Sequence, residues 1–241
     1  VAQTATNMGV GDKVTYNTSS AAFISGKISA TQWSLITATG GIPADVTDAA
    51  VDSISHAFPS LQAAVGGASP GAAGSSYLNT DNLTLGDYVL KIPCYYDSGA
   101  DTTAVAISAW TTGASNYIKI YAPNITAAEV NQSQRHAGKW NDAAYKLELT
   151  GTGYQIDCTV GNLIFEGIQA YKTNAPAALT SLFTARAANI GFDSCIARGP
   201  GRITYNQNLA GFYAVDAAAS PVYHKNCLSY DFYSTSAARG F

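Results

Sequence analysis

The chain has 241 residues, enough for one elongated domain or two smaller ones. Charged residues make up 12% of it, about half the usual share, and 13 Lys and Arg against 16 Asp and Glu leave a net charge of −3, which offers no basic face for nucleic acid. No run of 18 apolar residues occurs, so no helical membrane span is expected.

Residues 1–55 read as a small antiparallel β module. Gly11-Asp-Lys-Val-Thr-Tyr-Asn-Thr, Ala22-Phe-Ile-Ser-Gly-Lys-Ile and Gln32-Trp-Ser-Leu-Ile-Thr-Ala alternate apolar and polar residues, with turn residues between them. Asp48-Ala-Ala-Val-Asp-Ser-Ile-Ser-His-Ala-Phe adds a further strand. Residues 56–77 read as a cap and linker. Ser60 is an N-cap for a short helix over 60–65, with Pro59 just outside it, and a Gly/Ala/Ser-rich linker follows. His56 precedes this helix with no partner visible in the sequence.

Residues 78–241 carry short strands at close intervals. Tyr88-Val-Leu-Lys-Ile-Pro-Cys, Ala104-Val-Ala-Ile-Ser-Ala-Trp and Tyr117-Ile-Lys-Ile-Tyr have period-two patterning. An irregular excursion over 122–143 precedes Tyr145-Lys-Leu-Glu-Leu and Tyr154-Gln-Ile-Asp-Cys. Three similar segments then follow: Leu163-Ile-Phe-Glu-Gly-Ile-Gln, Ile190-Gly-Phe-Asp-Ser-Cys-Ile and Val222-Tyr-His-Lys-Asn-Cys-Leu. They start 27 and 32 residues apart, a spacing that predicts stacked strands of a parallel β-helix. Parity puts Leu163/Phe165, Ile190/Phe192 and Val222/His224 inside and Glu166, Asp193 and Lys225 outside. Gly167, Ser194 and Asn226 fall at a bend, and Cys195 and Cys227 share a repeat position as small interior side chains, with a disulfide the alternative. The fold expected is all-β: a right-handed parallel β-helix preceded by a small antiparallel β module and a short helical cap. The strand-like Leu228-Ser-Tyr-Asp-Phe-Tyr is followed by no polar cap, so the chain is read either as a fragment or as covered at that end by something else.

Several stretches resemble a group of uncharacterised right-handed parallel β-helix repeat proteins of environmental bacteria and phages. They include Val10-Gly-Asp-Lys-Val-Thr-Tyr, His56-Ala-Phe-Pro-Ser-Leu-Gln-Ala, Ser133-Gln-Arg-His-Ala-Gly-Lys-Trp and Phe165-Glu-Gly-Ile-Gln. The resemblance implies the fold shared with pectate lyases and phage tailspikes, and surface or structural proteins without an established reaction.

The densest polar cluster is Gln134–Asp142. Within it Arg135, His136, Lys139 and Trp140 could hold a carboxylate, a phosphate or a sugar, or could staple the long loop to the solenoid. Trp110, Tyr230 and Tyr233 are expected at the surface, as partner or glycan contacts. Glu166 and Asp193 on adjacent rungs are the only candidates for paired-carboxylate catalysis, and Lys225 in the same column argues for neutralisation instead. His224 reads as a core histidine in an aromatic stack. No metal or cofactor is expected: the four Cys form no CxxC pair, and no GxGxxG, P-loop or HExxH occurs. Four sequons, at Asn17, Asn82, Asn124 and Asn131, would matter only in a source that glycosylates.

A low-charge, hydroxyl-rich surface favours an extracellular, cell-surface or virion setting. The reading is a non-enzymatic structural protein that self-associates, or joins another coat or fibre subunit, through solenoid ends and Tyr-rich surfaces. The rival reading is a carbohydrate-binding protein, or a polysaccharide lyase or glycoside hydrolase.

Overall fold

The computed structural model describes residues 6–48, 50–66, 77–78, 80–97, 99–174, 178–201, 208–215 and 221–233, with the backbone of 238–239. Strands β1 (Lys13–Tyr16), β2 (Ser20–Lys27), β3 (Trp33–Ile36) and β4 (Val51–Ser55) form one antiparallel sheet in the order β3-β2-β1-β4. Its alternation buries Val14, Tyr16, Ala22 and Ile24 in a small core that also takes Tyr121 from the solenoid.

Helix α1 (Leu61–Val65) begins where the Ser60 side chain accepts the Ala63 N–H and ends at Gly66, φ +76°. Leu61, Ala64 and Val65 join the main core. A second helical turn, α2 (Leu83–Gly86), was not expected. Asn82 caps it by accepting the Leu85 N–H, and Leu83 anchors it, fully buried. Four residues are too few to print a helical period in a sequence.

The remaining strands are β5 (Leu90–Pro93), β6 (Val105–Ile107), β7 (Ile118–Tyr121), β8 (Lys146–Leu149), β9 (Gly153–Cys158), β10 (Leu163–Glu166), β11 (Gln169–Lys172), β12 (Thr180–Ala185), β13 (Ile190–Asp193), β14 (Ile196–Arg198), β15 (Leu209–Ala214), β16 (Val222–Lys225), β17 (Leu228–Tyr230) and β18 (Ala238–Arg239). They build three parallel sheets, β16-β13-β10-β7-β5, β17-β14-β11-β8 and β18-β15-β12-β9-β6. Each strand pairs with its counterpart one rung away, so the unit is a parallel β-solenoid. The rung β7-β8-β9 and the three after it each supply one strand to every sheet.

The three repeat segments lie in register: Leu163 on Ile190 on Val222, Phe165 on Phe192 on His224, and Glu166 on Asp193 on Lys225. Gly167, Ser194 and Asn226 all turn the corner to the second sheet with φ between +53° and +70°. Asn162 and Asn189 make a second left-handed corner, and the Asn189 side-chain amide donates to Asn162 Oδ1 at 3.4 Å.

Inside, Phe165, Phe192 and His224 stack with centroids 5.3 and 5.4 Å apart. A second column from the third sheet, Phe183 on Phe212 at 4.9 Å, meets the first edge-on. Rings offset this way gain about 0.5–1.5 kcal/mol per pair beyond burial. His224 differs from expectation in one respect. It faces inward and stacks, but its rung is the outermost described, so it is exposed and Val222 only half-buried.

Candidate functional site

The 122–143 excursion lies back across the solenoid. Gln134, 3% exposed, accepts the Tyr96 N–H and donates to Asn7 Oδ1 and Gln132 O. Arg135 Nη1 reaches Glu166 Oε1 at 2.7 Å, and Lys119 Nζ reaches Glu166 Oε2 at 2.6 Å. Arg135 passes directly over the Gly167 bend, where a Cβ would fall 2.6 Å from its Nε, so only glycine leaves the path open. His136 Nε2 donates to Ser194 O at 2.8 Å while its Nδ1 accepts the Gly138 N–H at 3.1 Å, which fixes a neutral tautomer. Burial, with Arg135 nearby, holds the His136 pKa below its ordinary value despite the bond to Ser194. Arg135 and His136 therefore staple the loop. Lys139 is exposed.

Beyond these staples the loop delivers Trp140 to the outer face of the second sheet. There Glu148, Tyr171, Arg198 and Tyr230 form one column in register on β8, β11, β14 and β17. The Arg198 guanidinium lies 4.8 Å from the Tyr171 ring and 5.5 Å from the Trp140 ring, and those rings meet edge-on at 5.9 Å. Trp140 Nε1 donates to Asp142 Oδ1 at 2.9 Å. That bond, with Lys146 at 3.0 Å, holds the Asp142 carboxyl below its usual range. Arg198 Nε is buried and makes no hydrogen bond among the described residues, with Asp231 Oδ2 at 3.6 Å. Stacked rings around a guanidinium, edged by carboxylates, suit a sugar face or a protein partner. Tyr171 and Arg198 were missed because each lies two residues past the end of its repeated segment. Tyr233 is 39% exposed.

Trp110 corrects the expectation of a surface ring. It is 4% exposed, and its indole N–H donates to Val65 O at 3.1 Å, so it seals α1 onto the first rung. Tyr95 is half-buried and donates to Val10 O at 2.6 Å.

Both carboxylates of the Glu166–Asp193–Lys225 column are ion-paired, Glu166 with Lys119 and Arg135 and Asp193 with Lys225. Partial burial alone would raise both carboxyls, but Lys119 and Arg135 hold Glu166 below the usual value, and Ser194 and Lys225 do the same for Asp193. Lys225 Nζ lies 3.1 Å from Asp193 Oδ2. A general acid needs a raised carboxyl pKa, and neither carboxyl has one.

A cleft of about 930 Å³ separates the antiparallel sheet, α1 and β5, with Phe23, Phe58 and Tyr77 packed edge-on on one side. His56 closes its floor. Its Nδ1 meets the fully buried Asp12 at 2.6 Å, its Nε2 meets Asp97 at 3.1 Å, and its ring stacks on Tyr95 at 4.6 Å. Burial would lower the His56 pKa, but the two carboxylates raise it above its ordinary value. His56 bridges the module and the first rung, and in its protonated form both ring nitrogens donate to carboxylates. Among the described residues no group of three His, Cys, Asp or Glu side chains is arranged to hold a metal ion. Comparison with protein-family models, curated proteins and solved structures found no match.

Proposed function

We propose that the chain is a non-enzymatic structural protein of an extracellular fibre, cell surface or virion, and that it associates with a second copy of itself. The last described rung carries the reading. Val222, His224 and Leu228 occupy the register of Ile190, Phe192 and Ile196, which are at most 2% exposed, yet Leu228 is 42% exposed and His224 is exposed. At the other end α1 covers β6, and Gln62 Oε1 accepts the free Ala106 N–H of that edge at 2.7 Å. A copy would therefore meet the like rung of its partner about a two-fold axis, burying both edges. A two-fold contact closes at a dimer, and growth into a fibre would use the Trp140–Tyr171–Arg198–Tyr230 face as the second contact. The low-charge composition supports this reading, as does the resemblance of Phe165-Glu-Gly-Ile-Gln and its companions to β-helix repeat proteins of bacteria and phages. Light scattering after size exclusion should show dimers or larger species that Leu228→Lys disperses. Wild-type protein that stays monomeric across a hundredfold concentration range would exclude the proposal.

One observation favours a second reading, a carbohydrate-binding protein: the Trp140 and Tyr171 rings beside Asp142 and an Arg198 Nε that makes no hydrogen bond among the described residues. Sugar C–H faces stack on such rings while hydroxyls take the charged groups. On a glycan array Trp140→Ala should lose at least tenfold in binding. An unchanged array profile removes this reading.

A further inference from the structure

We propose that Cys195 and Cys227 form a redox-active dithiol site that a hydroperoxide converts to a disulfide, tying the last described rung to the one before it. The two residues occupy equivalent positions on adjacent rungs. On one side of the pair Ser194 N–H donates to Lys225 O at 2.7 Å, and on the other Leu228 N–H donates to Cys195 O at 2.9 Å. Parallel strands place such neighbours about 4.8 Å apart, inside the 4.4–6.8 Å Cα range of disulfides. Each Sγ also contacts a carbonyl one rung back, Cys195 on Phe165 O at 3.6 Å and Cys227 on Phe192 O at 3.2 Å, so both thiols lean the same way along the stack.

The two thiols differ in the way the chemistry needs. Cys195 is fully buried, whereas Cys227 is half-buried on the outermost described rung. The hydrogen bond from Cys195 lowers the Cys227 thiol to about 7, and burial pushes Cys195 well up. Cys94 and Cys158 are buried with raised thiols, so they are poor nucleophiles. The Cys227 thiolate attacks a peroxide oxygen: an S–O bond forms, the O–O bond breaks, sulfur is oxidised to sulfenic acid and the peroxide is reduced to water. Cys195 Sγ then attacks Cys227 Sγ, losing its proton. An S–S bond forms, the S–O bond breaks and water leaves. The sum is two thiols and one hydrogen peroxide giving one disulfide and two waters. Cβ atoms must close from the rung spacing to about 3.8 Å, a shift of roughly 1 Å, and the outermost described rung is the one with room to make it. A copy joined through this rung would cover Cys227, so the reaction belongs to the monomer and is run at a concentration where the chain is monomeric.

The experiment treats the folded full-length chain with one equivalent of hydrogen peroxide, alkylates it under denaturing conditions, and maps it with trypsin. Two of the four thiols should become unreactive, at a monomer mass about 2 Da lower. The peptides 187–198 and 226–239 should appear cross-linked and be released by dithiothreitol. Cys195→Ser should leave a sulfenic acid on Cys227 that dimedone traps, and Cys227→Ser should keep all three remaining thiols reactive. Four reactive thiols after peroxide, or over-oxidised Cys227 without the cross-link, would overturn the proposal.

Discussion

At His136 one ring nitrogen donates and the other accepts, so adding a proton breaks the Gly138 N–H···Nδ1 bond. At His56 both nitrogens face carboxylates, so removing a proton breaks a charge-assisted bond. The two residues therefore respond to pH with opposite sign. The folded pKa of His136 is depressed, so its contribution is complete above about 6.5 and is lost as pH falls through the folded value. The folded pKa of His56 is raised, so its contribution is complete below about 6.5 and is lost as pH rises through the folded value. Urea titrations from pH 5 to 9 should show His136→Gln reducing the acid-side fall in stability, to which His224 also contributes, and His56→Gln reducing the alkaline-side fall. Equal curves for both variants would refute these assignments. Little of this was legible beforehand. The polar run around Arg135 marks a loop that needs anchoring, but its partners Glu166 and Ser194 lie 31 and 58 residues from Arg135 and His136. Only chain reversal by the solenoid brings them within 3 Å.

Among the elements, strands with a clean alternation were readable and strands without one were not. β10 and β13 keep two buried residues alternating with partly exposed ones. In β12 every residue of Thr180-Ser-Leu-Phe-Thr-Ala is buried, so period two disappears. Its hydroxyls are satisfied internally, Thr184 Oγ1 donating to Ser181 Oγ at 3.0 Å and Ser181 Oγ to Phe183 O at 3.2 Å. The second aromatic column, Phe183 and Phe212, went unread for the same reason. Phe192 sits where the columns cross, touching Phe165, Phe183, Phe212 and His224. Phe192→Ala should cost about 3–5 kcal/mol in urea unfolding. His224→Ala, on the exposed rung, should cost less than about 1 kcal/mol. Similar losses at both sites would mean that His224 is as enclosed as Phe192.

In the whole molecule, the antiparallel module meets the solenoid through side chains and backbone alike. The side-chain contacts include the Asp12–His56–Asp97 bridge, Tyr95 Oη on Val10 O, Lys27 Nζ on Thr126 O and Val130 O, and Gln134 on Asn7 Oδ1. The Val10 and Lys27 N–H groups donate to Glu129 O and Ala128 O, and Tyr121 packs into the module core. A buried charge-assisted bridge contributes about 1.5–3 kcal/mol. His56→Ala should therefore speed amide exchange in β1–β4 while leaving β10–β15 protected, as measured by hydrogen–deuterium exchange. Equal acceleration in both would show that the two units unfold as one and that the bridge does not couple them. The cleft above this bridge was invisible in the sequence, since its walls come from residues 10–40, 56–64 and 77–101.

The sequence by itself determined what is local or periodic: the alternating strands of the module, Ser60 as a helix cap, the stacked register of the three repeats, and the small or amide residues at their bends. These follow from side-chain parity and backbone sterics, which act over a few residues. Tertiary structure decided what depends on which rung lies above which. It buried Trp110 under α1, placed Trp140 beside Arg198, held His56 between two aspartates, and left Cys227 half-open over a closed Cys195. A repeat spacing sets the stacking, but the loops between strands differ in length, and only the folded chain decides which side chains those loops carry together.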